Sequence, residues 1–222
     1  MQKIIIGIID DDPTKVTQLL TYLKLGWKDE NDNLLKEKYK DVYLCPLEIS
    51  IENNLDQMVE KIFESKPDVL IIDYKLSSQK SIAYTGVSLA QALDNIMREF
   101  PIFILTTYQD DLFDKECFDV YQVFDFERYI KDDDERLELN SKLVEQFRNY
   151  RITLEKWHKE LIKLLPQAGA SAEIDQRIIE LDSNIEKSIN GSSIIPEKTK
   201  VELSTNHLQT LIEKINLILK ED

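Results

Sequence analysis

The chain has 222 residues, 42% apolar and 32% charged, enough for one large domain or a domain with an appendage. Its net charge of −14 divides into −13 over residues 1–135 and −1 over 136–222, so neither part offers the basic surface that direct nucleic-acid binding needs. No apolar run approaches the roughly 18 residues of a membrane span, and two cysteines without a CxxC pair, Cys45 and Cys117, fit a reducing, cytoplasmic setting with no disulfide framework.

Met1-Gln2-Lys3 followed by Ile4–Ile9 has the outline of a signal peptide. The apolar run is too short for one and ends in Asp10-Asp11-Asp12, so it reads as a buried first strand. Asp12-Pro13 is a helix start, with Asp12 as cap and Pro13 at the first helical position. That helix runs to about Leu25, with Val16, Leu19, Leu20 and Leu23 on one side. A polar stretch from Gly26 to Lys40 leads to a second strand, Val42–Ile49, where Pro46 predicts a sheet edge. Leu55–Phe63 is helical and Pro67 ends the segment before a third strand, Val69–Asp73. A polar loop, Ser77–Thr85, precedes a helix from Gly86 to about Arg98, and Pro101 opens a fourth strand that reaches Thr106. Asp110–Phe118 reads as a short helix. A fifth strand falls within Val120–Lys131, with its register open. Five β-α alternations predict an α/β fold, a doubly wound five-stranded parallel sheet.

The rest is helical, an all-α region over 136–222. A long helix covers about 132–165, where Leu143, Phe147, Tyr150, Leu154, Trp157, Leu161 and Leu164 recur every three or four residues. That 3.5-residue period predicts a coiled-coil or helical-hairpin seam. Pro166–Ser171 breaks the helix. Ile174, Ile178, Leu181, Ile185 and Ile189 mark a second stripe, closed by Asn190-Gly191. Pro196 opens a third helix with Val201, Leu208, Leu211, Ile215 and Ile218.

The strand ends carry the chemistry. Short Ile/Val/Leu runs without polar alternation are strands buried on both faces, and ligands bind beyond the carboxyl ends of such strands. If the first, third and fourth strands are neighbours, the aspartates after Ile9, Asp73 and Thr106 converge on one pocket suited to a divalent metal and a phosphoryl group.

Residues 1–135 resemble a bacterial response-regulator receiver domain of flavodoxin-like fold. The resemblance is carried by Ile8-Ile9-Asp10-Asp11-Asp12-Pro13, by Asp68–Leu76 around Asp73, and by Pro101–Thr106, in order on buried strands. It implies that Asp73 accepts a phosphoryl group from a partner histidine kinase or phosphotransfer protein. It further implies that Asp10, Asp11, Asp73 and the backbone carbonyl of Lys75 hold Mg²⁺, and that Thr106 and a lysine after the fifth strand, Lys131, bind the phosphoryl group. The expected protein is a phosphorylated signalling switch rather than a turnover enzyme, at most self-dephosphorylating. It would act through protein contacts or self-association of its C-terminal helices.

Four features depart from the family pattern. Ser77 stands where a proline is usual, the stretch from Asp73 to Gly86 is long, Lys131 is followed by Asp132, and Arg128 stands where an aromatic switch residue is usual. A register with the fifth strand at Val120–Phe124 leaves no lysine in place. These departures keep open a phosphorylation-independent scaffold of receiver shape. Asp10-Asp11-Asp12-Pro13-Thr14 also fits the DxDx[TV] signature of haloacid dehalogenase-type phosphatases, with Asp10 as nucleophile and Asp12 as general acid. That reading gives Asp73 no role and lacks a later strand ending in paired acids. Asp132–Glu135 reads as a solvated helix start, and neither His158 nor His207 sits in a phosphotransfer motif.

Overall fold

A computed structural model describes residues 1–27, 33–76, 82–107, 123–191 and 198–202, with the side chains of Asn33 and Asn190 excepted. The expected Asp110–Phe118 helix, Cys117, His207, and residues 208–218 of the third C-terminal helix lie outside these. So do Ser77–Ser81 and the start of the alternative fifth strand. The chain divides into two compact units, Met1–Arg151 and Ile152–Asp222.

The first unit is built on β1 (Gln2–Ile9), β2 (Val42–Glu48), β3 (Val69–Asp73), β4 (Ile102–Thr106) and β5 (Val123–Asp125), all parallel in the order β2-β1-β3-β4-β5. This is the flavodoxin-like doubly wound order. Every residue of β3 and β4 is buried, as their unbroken apolar runs predict. β2 lies at the edge, where Pro46 leaves no central ladder bond unmade.

Local chemistry sets the helix limits. In α1 (Pro13–Leu25) the Asp12 carboxylate accepts from the Thr14 N–H, and Gly26 closes the helix at φ 60°. A short α2 (Asn33–Lys38) lies in the stretch read as polar connection. Only Leu34 and Leu35 are apolar there, too few to give a periodic signal. Asn54 caps α3 (Leu55–Ser65), and Thr85 with Ser88 forms a reciprocal capping box on α4 (Gly86–Ile96). Asp125 caps α5 (Phe126–Lys131) by accepting from the Arg128 N–H.

One face of the sheet, through Ile6, Ile8, Val69, Ile71, Phe103 and Leu105, packs with Val16, Leu19 and Leu23 of α1 and with Phe126 and Tyr129 of α5. The same core takes in Leu137, Leu139, Leu143, Val144 and Phe147 from the first half of α6 (Asp133–Leu164). Residues 136–151 therefore pack with the sheet. Asn140, fully buried among them, accepts from the Tyr129 hydroxyl and donates to the Gly26 carbonyl, each at 3.3 Å. Of the seven seam residues, Leu143, Phe147 and Tyr150 are buried within this unit, whereas Leu154, Trp157, Leu161 and Leu164 are half-buried. Periods of 3.5 and 3.6 residues look alike over a few turns, so an apolar stripe that lies against a sheet reads like one awaiting a partner helix.

In the second unit, α6 ends in a 3₁₀ turn (Leu165–Gln167), and Ser171 caps α7 (Ala172–Asn190), which Gly191 closes at φ 74°. Arg177 of α7 holds Glu160 of α6 through a two-pronged ion pair of 2.7 and 3.0 Å. Ile179 and Leu181 are buried, while Ile189, expected on the stripe, is exposed. No helix among the described residues is long and apolar enough to cross a membrane.

Candidate functional site

β1 and β3 are neighbours, and the chain order reverses between them, because β1 continues to β2 on one side and β3 leads to β4 on the other. In open α/β sheets this switch point leaves a crevice at the carboxyl ends of the strands. Asp10 and Asp11 follow β1, and Asp73 ends β3. One carboxylate oxygen from each lies within 4.8 Å of the others. Asp11 and Asp73 are buried, and Asp10 is half-buried.

Three carboxylates this close and this dry cost free energy as anions. Burial, and then the neighbouring Asp73 carboxylate, push the Asp10 carboxyl up to about 7, against the Asp12 N–H that it accepts from at 2.8 Å. Burial also raises Asp73, opposed by the charge and hydrogen bond of Lys15 and by the Lys75 N–H donating to Oδ2 at 3.1 Å. The Lys15 Nζ stands 3.2 Å from Asp73 Oδ1. Burial works against its charge, but the Asp73 and Asp10 carboxylates hold the ammonium above its ordinary value.

The pleat explains why Lys15 arrives there. Side chains alternate along a strand, so Asp73 shares the sheet face of Val69 and Ile71, which α1 covers. From the opposite side α4 presses its first residue on the Asp73 backbone. A Cβ on Gly86 would lie 2.0 Å from the Asp73 carbonyl oxygen, so only glycine fits that approach.

Thr106 is fully buried at the same sheet edge, one residue past Leu105, the register partner of Asp73. Asp12 serves as the helix cap. Lys131 takes a different place from the one the resemblance implies. It ends α5, its side chain is 73% exposed, and it pairs with Glu127 one turn back. The physical reason is register. β5 ends at Asp125, opposite Thr106, and α5 starts at once, so Lys131 is carried to the far end of a helix. Among the described residues the lysine that reaches Asp73 is Lys15, a position without a place in the sequence-based expectation. A signal was present, because a lysine in the first turn of a helix opposes the macrodipole and needs nearby anions to hold it.

The three acids suit a hard divalent cation such as Mg²⁺. They offer only oxygen donors, and they lie close enough to share one ion. Such an ion would neutralise charge on an incoming phosphoryl group. The chain's own groups here are the buried Asp73 carboxylate, oriented by the Lys75 N–H and Lys15, and the buried Thr106 at the end of β4.

No family model matches the chain, and no curated protein matches it. Among solved structures it is similar to the crystal structure of the anti-anti-sigma factor PhyR from Bartonella quintana, at 13% sequence identity and a TM-score of 0.42. That similarity covers 70% of this chain and 51% of the other, so the chain spans about half the length of that protein. The strand order and the flanking helices give the first unit a receiver-like, flavodoxin-type fold, followed by a helical C-terminal region.

Proposed function

We propose that this protein is a phospho-accepting signalling switch of the response-regulator kind, with Asp73 as acceptor and Mg²⁺ held by Asp10, Asp11, Asp73 and the Lys75 backbone carbonyl. The observation that carries the reading is the gathering of three carboxylates at the β1/β3 switch point with an ammonium on the innermost one. A structural ion pair would need one carboxylate, and two buried ones gathered with a half-buried third are costly unless a site uses them. The donor would be a phosphohistidine on a kinase or phosphotransfer protein. A carboxylate oxygen of Asp73 attacks phosphorus while the bond from phosphorus to the donor breaks, and the electron pair leaves with the donor. Output would pass through protein contacts of the C-terminal helices, in a reducing, cytoplasmic compartment.

The test is intact mass after incubation with Mg²⁺ and acetyl phosphate. The expected result is a labile adduct of one phosphoryl group on the wild type, lost in a folded Asp73→Asn variant. An adduct retained by the variant overturns the acceptor assignment. No adduct on the wild type, together with no binding of beryllofluoride, leaves a phosphorylation-independent scaffold instead.

A further inference from the structure

The ammonium at the acceptor comes from α1, at the opposite end of the first unit's sequence from the segment after β5. Lys15 Nζ is 3.2 Å from Asp73 Oδ1, and its side chain is 19% exposed. The same ammonium lies 5.5 Å from the centre of the Phe126 ring, a distance at which the ring face attracts a cation. It is thus held from two sides, by the last residue of β3 and by the first of α5. Beside Thr106 the strand end carries Asp125, and Phe126 follows it at the start of α5. Lys131 is engaged by Glu127 at the end of α5.

We propose that Lys15 is the phosphoryl-binding lysine of this site, supplied from α1 in place of one after the fifth strand. The assignment rests on Asp73 as acceptor. When Asp73 forms its bond to phosphorus and the leaving group departs with its electron pair, the carboxylate becomes an acyl phosphate. Lys15 keeps its proton and turns from the carboxylate oxygen to a phosphoryl oxygen. Hydrolysis reverses the change: water adds to phosphorus, the carboxylate leaves, and the Lys15–Asp73 pair reforms.

Two effects follow from one group, and they run in opposite directions. Lys15 favours the charge that accumulates on transfer, so its loss slows uptake. It also shares the acids' negative charge at rest, so its loss makes the pocket more attractive to a divalent cation. A side chain that merely braced the fold would weaken both on removal.

The experiment compares Lys15→Met with the wild-type full chain. Uptake from acetyl phosphate at saturating Mg²⁺ is followed by intact mass, and Mg²⁺ affinity without donor is measured by calorimetry. Expected are uptake slower by on the order of 100-fold and Mg²⁺ bound roughly tenfold more tightly. Lys15→Gln gives the same pair of shifts, Lys15→Arg restores most of the uptake, and Lys131→Ala changes neither. Wild-type uptake in Lys15→Met and Lys15→Gln overturns the assignment while leaving Asp73 as acceptor. Weaker Mg²⁺ binding together with slower uptake in both variants also overturns it, in favour of a bracing role. A wild type that takes neither phosphoryl group nor beryllofluoride removes the acceptor reading, and this assignment falls with it.

Discussion

The carboxyl end of the sheet and the α6–α7 pair of the second unit use the same charged residues to different ends. At the sheet, one lysine faces buried aspartates, and the Asp10 carboxyl is pushed up to about 7. In the second unit, Arg177 meets Glu160 and Glu180 with each side chain about 40% exposed, at 43%, 40% and 42%. Water screens the second arrangement, so it contributes little and costs little. The first stores free energy that a bound ion or a new charge can release. Charge that is dry and unbalanced marks a site, whereas charge that is wet and paired marks a surface.

The sharpest way to break this comparison is packing. Leu143 of α6 is fully buried in the core of the first unit, and Leu161, further along the same helix, is half-buried. Leu143→Ala should lower unfolding free energy by about 2–5 kcal/mol, and Leu161→Ala by clearly less. Urea denaturation of both variants checks the pair. Equal losses would place Leu161 in a core as tight as the one around Leu143.

Next in size is the pH dependence carried by Asp10. Its folded carboxyl binds a proton more tightly than the ordinary 3.8 of the unfolded chain. The stability tied to that proton is therefore complete below about pH 3.8 and is lost as pH rises through about 7. With divalent ions chelated, melting temperature should fall between pH 5 and 8. Asp10→Asn should raise stability at pH 8 by roughly 1–2 kcal/mol, discounted for a carboxyl that is only partly buried, and should flatten the curve. Added Mg²⁺ should stabilise the wild type more at pH 8 than at pH 5. A pH-independent melt would show that the Asp10 charge is already balanced.

The smallest effect is expected at the exposed pair. Glu160→Gln should cost under about 1 kcal/mol, and raised salt should mask the difference. A larger, salt-insensitive loss would mean that this pair is buried by something else.

Much of this arrangement was legible in the sequence, because strand burial and acid placement are local properties. Ile4–Ile9, Val69–Ile72 and Ile102–Leu105 read as buried strands without reference to anything distant, and Pro13 and Gly86 mark helix starts that the structure bears out. The convergence of Asp10, Asp11 and Asp73 follows once those strands are neighbours. What stayed hidden depends on distant parts of the chain. The partner of Lys15 is Asp73, 58 residues away, and Leu143 and Phe147 join a core that takes in residues of β1, β3 and β4. A stripe reveals that it will be buried, but not against what. The register of β5 was undetermined because three residues of strand carry too little pattern to fix it.

The Lys15–Asp73 pair also makes a statement about relatives of this chain. Among the described residues the ionic centre consists of Asp10, Asp11, Lys15 and Asp73, while Lys131 is engaged by Glu127, so the role proposed for Lys15 would leave position 131 without a duty at the pocket. In an alignment of homologues the two lysine positions should trade. Lineages with a lysine at 15 should vary freely at 131, and those that lost it should carry a basic residue near the end of the fifth strand. Such anticorrelation would be the trace of one charge relocated within a fold that stayed the same.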